Sequence, residues 1–184
     1  MVFRSKKKPS INIDGVLSND SYANIGQRKN IGRFMYFGQH STPGRAVYID
    51  PKTRDLKVVF RGTKEKRDLK TDAALAFGFL NKTKRFKDEL KAVQDLQGKY
   101  NNISLSGHSL GGALSREIGR KTKLESSGYN AGYGLDSLFK KNPKNYTETR
   151  TKYDPISALG LIRNKDIQTI DSTYIDPHSS KNFI

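Results

Sequence analysis

One serine sits in a frame that could make it a nucleophile: Ser109, in Gly107-His108-Ser109-Leu110-Gly111-Gly112. A serine with glycine two residues away on each side, between a short strand pattern and a helical pattern, is the frame of a nucleophile elbow. The chain there must swing sharply from strand into helix. Its neighbours then pass so close to other backbone that a Cβ would collide, and Gly107 and Gly111 meet that need. A serine at a helix start also lies beside main-chain N–H groups with no intrahelical acceptor, which can face developing negative charge. The four fixed positions Gly-x-Ser-x-Gly-Gly arise by chance in roughly one shuffled chain per hundred. The rival readings are a glycine-rich helix entry that merely packs tightly and a phosphate-binding loop. No Lys-Ser/Thr follows the last glycine, which disfavours the loop.

A nucleophilic serine needs a base, and the base needs a group to orient it. The chain has three histidines, His40, His108 and His178. His108 abuts the serine, but from an elbow it should point away into packing, and His40 reads as a loop residue. His178 is the only histidine after Ser109. For the orienting acid, Asp136, Asp154, Asp171 and Asp176 compete. Asp154 is favoured because Pro155 would end a strand there and expose the aspartate at its tip.

The elements that must position these groups follow from periodicity. Residues 45–50 and 56–61 read as two strands joined by a turn at 51–55, a hairpin signal. Asp68 could cap a helix running to about residue 80. A clearer helix covers about 83–97, where Phe86, Leu90, Val93 and Leu96 recur at helical spacing as a core stripe. A strand at 102–106 leads into the elbow, and a helix over 110–121 leaves it. Further strands are expected at about 126–131, 148–153 and 166–171. Strands alternating with helices predict an α/β layer structure with a mostly parallel sheet and an antiparallel hairpin at its edge. Residues 1–44 read as a basic N-terminal arm or irregular segment with a short helix near 22–27, and residues 45–184 as the folded domain. After His178 the only apolar side chains are Phe183 and Ile184, which should add little to the core.

The run Ser106-Gly107-His108-Ser109-Leu110-Gly111-Gly112-Ala113-Leu114 closely resembles the elbow of the class 3 lipases, the fungal triacylglycerol lipase-like family. Val58-Val59-Phe60-Arg61-Gly62-Thr63 resembles the strand and turn that build the oxyanion hole there, and 68–72 the acidic segment that follows it. Tyr153-Asp154-Pro155-Ile156 resembles the element carrying the acid, and 178–184 the region of the base. The resemblance covers about residues 45–184, with compressed spacing. It implies a compact α/β-hydrolase-like three-layer sandwich and a carboxylic ester hydrolase that needs no cofactor. It further implies Ser109 as nucleophile, Asp154 as acid and His178 as base, in the order that fold uses. The N–H groups of Thr63 and Leu110 would then bind the oxyanion, with the Thr63 hydroxyl as a third donor. Arg61 reads as an ion-pair partner, to Asp72, rather than a catalytic group.

Charge sets the remaining expectations. The 184 residues carry 34 Lys and Arg against 18 Asp and Glu, a net +16, and residues 1–70 hold +10 of it. Such a field favours anionic surfaces: phospholipid headgroups or an acidic protein partner. No nucleic-acid-binding motif accompanies it, which argues against nucleic acid. The charge therefore tilts the substrate toward anionic lipids, with a soluble esterase or thioesterase as rival, since the elbow does not distinguish acyl groups. A second class of function is a structural or interaction protein that keeps the hydrolase fold, as in a viral particle, with its positive surface against an acidic partner. Cysteine is absent, which excludes disulfides and thiolate metal sites. The start of the chain, with Lys6-Lys7-Lys8, has charge without the apolar region of a secretory signal, and no stretch approaches a membrane span.

Overall fold

Seven strands form one sheet whose spatial order is the order of the sequence, because each connection returns the chain beside the strand it has just left. The computed structural model describes residues 12–63, 79–134, 140–162, 164 and 166–184. The strands are β1 (Met35–Tyr36), β2 (Arg45–Ile49), β3 (Leu56–Phe60), β4 (Ile103–Gly107), β5 (Glu125–Tyr129), β6 (Tyr146–Thr151) and β7 (Gln168–Ile170). The first three pair antiparallel, with Arg45 opposite Phe60 and Ile49 opposite Leu56 in the expected hairpin. From β3 onward every pairing is parallel. The mostly parallel sheet with an antiparallel edge is therefore as the sequence reads.

Among the described residues three α-helices cover it: α1 (Ile13–Asp20), α2 (Lys84–Leu96) and α3 (Leu110–Thr122). The Thr83 hydroxyl caps α2 by accepting the Phe86 N–H at 3.1 Å. The period-2 alternation of the hairpin sorts its side chains. Val47, Leu56, Val58 and Phe60 point to one face, where they meet Phe86, Val93 and Leu96 of α2 and Ala113, Leu114 and Ile118 of α3. Ala46, Tyr48 and Val59 point to the other, where Leu17 of α1 and Phe34 cover them. The result is a three-layer α/β sandwich.

The second face departs from expectation. Residues 12–44 are part of the fold and not an arm. The helix lies at α1, earlier than the expected 22–27, where there is only a single turn at Ile25–Gln27. Asn12 caps α1 by accepting the Gly15 N–H at 3.1 Å. Gly15 then lets the helix come so near the chain's end that a Cβ would stand 2.3 Å from the Phe183 carbonyl oxygen. A buried Arg28 knits the segment together by donating to the carbonyls of Ser21, Ala23, Thr42, Pro43 and Arg45. Five acceptors satisfy the donors of a cation that would be costly to bury unpaired. Phe183 is likewise buried, against Tyr129 and His108, so the tail contributes more core than its two apolar residues suggest. The expected Asp68 helix and Arg61–Asp72 pair, with Asp136 and Lys6–Lys8, fall outside the described residues. Among the described residues no helix is long and apolar enough to cross a membrane, and no cluster of three His, Asp or Glu could hold a metal ion.

Candidate active site

Parallel strands bring the turns after β3, β4, β6 and β7 to one end of the sheet, the end at which open α/β sheets bind ligands. Those turns carry Gly62–Thr63, Ser109, Asp154 and the approach to His178.

Ser109 links β4 to α3 with φ 58° and ψ −122°, a region an L-residue occupies at a cost of about 1–3 kcal/mol and only where its surroundings enforce it. The enforcement is visible. Ser109 N–H donates to the Tyr129 carbonyl at 3.0 Å, and its carbonyl accepts from Ala113 and Gly132 at 3.1 and 3.2 Å. The glycines are sterically required. A Cβ on Gly111 would lie 1.9 Å from the Phe60 oxygen, one on Gly107 2.4 Å from Gly111 backbone, and one on Gly112 2.8 Å from the Ala131 Cβ. Gly62 is pressed into the same turn, where a Cβ would meet the His108 oxygen at 2.7 Å and the Ser109 Cβ at 3.1 Å. Thr63 follows Gly62 in the chain and so leaves the Ser109 turn directly. Leu110, the first residue of α3, has an N–H with no intrahelical acceptor.

Asp154 and His178 are brought together. Asp154 is 0% exposed, and its Oδ1 accepts from His178 Nδ1 at 2.8 Å. Its Oδ2 accepts the Ser157 N–H at 2.8 Å and the Ser157 hydroxyl. Burial works against the charged carboxylate, but the His178 hydrogen bond and the two Ser157 donors outweigh it, so Asp154 stays below the ordinary carboxylate value. Arg150 braces the loop, donating to the Asp154 carbonyl at 3.0 Å and the Ser157 hydroxyl at 3.1 Å. With Nδ1 tied to the aspartate, the other ring nitrogen of His178 is left for chemistry. Both His178 Nε2 and Ser109 Oγ are buried, and neither has a hydrogen-bond partner.

The other expected residues fall elsewhere. His40 sits in a surface turn with Nε2 3.2 Å from the Tyr100 hydroxyl. Asp171 pairs with Lys152 at 2.7 Å, and Asp176 accepts the His178 N–H at 3.0 Å. His108 is buried, as its place at the elbow predicts, but packing does not exhaust its role. Its Nδ1 lies 2.8 Å from the Tyr22 hydroxyl and its Nε2 2.7 Å from the His178 carbonyl oxygen. Ser157, Arg150 and Tyr22 escape sequence reading. Only Ser157 leaves a local signal, a hydroxyl three residues after the acid, where it can close a turn on it.

A strained serine at a glycine-bared strand–helix turn, with a buried Asp–His pair at the same end of a parallel sheet, defines an α/β-hydrolase of the lipase type. The model of the phospholipase-like family, the Tle-like phospholipase domain, matches residues 18–172, and the chain belongs to that family. The match includes Tyr22, Ser109 and Asp154 and stops short of His178. No curated protein matches the sequence. Among solved structures the chain is similar to the triacylglycerol lipase of Penicillium expansum, at 14% identity and TM-score 0.52, over 91% of this chain and 80% of that one. The lipase of Rhizopus microsporus var. chinensis matches at 18% and 0.52, over 79% and 66%. Rhizomucor miehei lipase in its propeptide complex matches at 14% and 0.53, over 79% of this chain but only 60% of that one. The lipase resemblance of the motifs is therefore borne out in family and in fold.

Proposed function

We propose that the protein hydrolyses carboxylic esters of lipids, with Ser109 as nucleophile, His178 as general base and Asp154 as its orienting acid. The observation that carries this reading is the Asp154–His178 hydrogen bond, which leaves Nε2 unpartnered and buried in a site that also holds an unpartnered, buried Ser109 Oγ. Ser109 Oγ attacks the ester carbonyl while its proton passes to His178 Nε2. Asp154, held ionised by Ser157, stabilises the imidazolium that forms. The tetrahedral oxyanion is met by the N–H groups of Leu110 and Thr63, with the Thr63 hydroxyl as a third donor; one such donor is worth about 3–4 kcal/mol. His178 then protonates the leaving alcohol, and water attacks the acyl-enzyme by the same route.

A lipid is the favoured ester because the loops carrying the acid and base expose apolar side chains. Tyr153, beside Asp154, is 88% exposed, and Ile162 and Ile175 on the loops between Asp154 and His178 are also exposed. The net charge of +16 favours an anionic headgroup, a preference that salt should weaken by screening. A fluorophosphonate should label Ser109, and Ser109→Ala should abolish labelling and the hydrolysis of p-nitrophenyl esters and phospholipids alike. Labelling that persists undiminished in the variant rejects the assignment.

A further inference from the structure

The mechanism above leaves unused the contact between Tyr22 and the buried His108. His108 is 4% exposed, and its ring lies 4.7 Å from the ring of His178, centroid to centroid. Its two nitrogens have different partners, and those partners fix its state. Nε2 faces the main-chain carbonyl of His178 at 2.7 Å. A carbonyl only accepts, so Nε2 carries the hydrogen. Burial, and after it the neighbouring His178 ring, pulls the basicity of His108 down to about 3, so the ring is neutral and Nδ1 keeps a lone pair. Nδ1 therefore accepts the Tyr22 hydroxyl hydrogen at 2.8 Å. The Tyr22 oxygen lies against the backbone of Gly62, whose N–H can donate to it. A Cβ on Gly62 would stand 2.2 Å from that oxygen, so the contact admits only glycine.

Resting on the reading of Ser109 and His178 as nucleophile and base, we infer that Tyr22 and His108 are positioning residues. Together they form a one-way hydrogen-bond relay, Gly62 N–H to Tyr22 to His108 to the His178 carbonyl, that sets the oxyanion turn and the catalytic base at a fixed distance. Two consequences follow. The Gly62 N–H is committed to Tyr22, so the oxyanion donors on this turn belong to Thr63. The ring beside the base is uncharged, so the imidazolium formed on His178 meets no second positive charge at 4.7 Å. The relay also gives residues 12–44 a part in the chemistry, since α1 and the turn after it deliver Tyr22.

Steady-state hydrolysis of a p-nitrophenyl ester by the full chain and its Tyr22→Phe, His108→Ala and His108→Gln variants tests this, together with 15N NMR of histidine-labelled protein. Tyr22→Phe and His108→Ala should each lower kcat roughly 10- to 100-fold, the cost of a small misplacement of reacting groups. KM should stay unchanged, because neither side chain touches the ester. The double variant should lose no more than His108→Ala alone, since either break severs the relay. His108→Gln, whose amide N–H can reach the His178 carbonyl, should recover most of the rate. A purely structural role would instead lower the melting temperature and leave kcat where it was. In the unsubstituted protein His108 should be neutral with its hydrogen on Nε2 from about pH 5 to 8. An unchanged kcat in Tyr22→Phe, a loss carried by KM, losses that multiply in the double variant, a glutamine no better than alanine, or hydrogen on Nδ1 overturns the relay. If the unsubstituted protein neither hydrolyses the ester nor reacts with fluorophosphonate, the catalytic reading fails instead, and the NMR still decides the relay.

Discussion

Around Ser109 the backbone is fixed by main chain lying directly on main chain, with Gly111 against Phe60 and Gly62 against His108. Around Asp154 and His178 it is fixed by side chains that reach to carbonyls. Asn130 donates to the Pro177 carbonyl at 2.8 Å and accepts the Thr151 N–H at 2.8 Å, and the Thr151 hydroxyl also donates to Pro177. Asn182 donates to the carbonyls of Asp176 and Ser179, both at 3.1 Å, while Arg150 holds Asp154. The Ser109 side therefore cannot accept an added atom, and the Asp154–His178 side cannot spare one.

The largest effect expected on either side is chemical. His178→Ala removes proton transfer and imidazolium stabilisation together, so turnover of a simple ester should fall by roughly 10³- to 10⁶-fold with little change in melting temperature. His40→Ala, in its surface turn, should be unaffected. Near-normal turnover by His178→Ala would mean that the base is another group, even if Ser109 proves to be the nucleophile.

The steric contrast comes next. Gly111→Ala places a methyl 1.9 Å from the Phe60 oxygen and should cost about 3 kcal/mol or more, since backbone must move to admit it. Asn130→Ala adds nothing but leaves the Thr151 N–H without its acceptor, while the Pro177 carbonyl keeps the Thr151 hydroxyl and the Asn182 amide. It should cost about 1–3 kcal/mol and lower activity by about tenfold through a displaced His178. Urea unfolding of the two variants measures both. Equal tolerance of the added methyl and the lost amide would erase the distinction.

The same contrast explains what could be read from the sequence. The elbow, the hairpin, α2 and α3 were legible because each is enforced within a few residues: glycines at fixed offsets, period-2 strands, an apolar stripe at helical spacing. Asp154 and His178 could be singled out only by order and by resemblance. What braces them lies far away in the chain, as Asn130 does where it donates to the carbonyl just before His178. Residues 12–44 looked irregular because their apolar residues keep neither strand nor helix spacing for long and their structure depends on buried hydrogen bonds, those of Arg28 above all, which leave no periodicity.

The smallest expected effect pits two buried titratable groups against each other. His108, among Tyr22, His178, Asp154 and Asp176, has its basicity pulled down to about 3, by burial first. The unfolded chain takes up a proton there near pH 6.5 while the folded chain refuses it, so stability is full above 6.5 and drains away as pH falls toward 3. Glu148, among Tyr133, Tyr146, Arg116 and Arg150, is pushed by burial up to about 7, even though Arg116 and the two phenols favour its charge. Here the folded chain keeps a proton that the unfolded one has released, so stability falls as pH rises from 4.5 to about 7. Between pH 4.5 and 6.5 each group contributes a slope of about 1.4 kcal/mol per pH unit, with opposite sign, and the two cancel. Single variants should uncover them. The stability of Glu148→Gln relative to the unsubstituted protein should increase as pH rises through this window, and that of His108→Gln should increase as pH falls. Urea unfolding at several pH values measures both differences. If the two difference curves are flat, or slope the same way, then His108 is not held neutral by burial, or Glu148 is ionised in the folded protein.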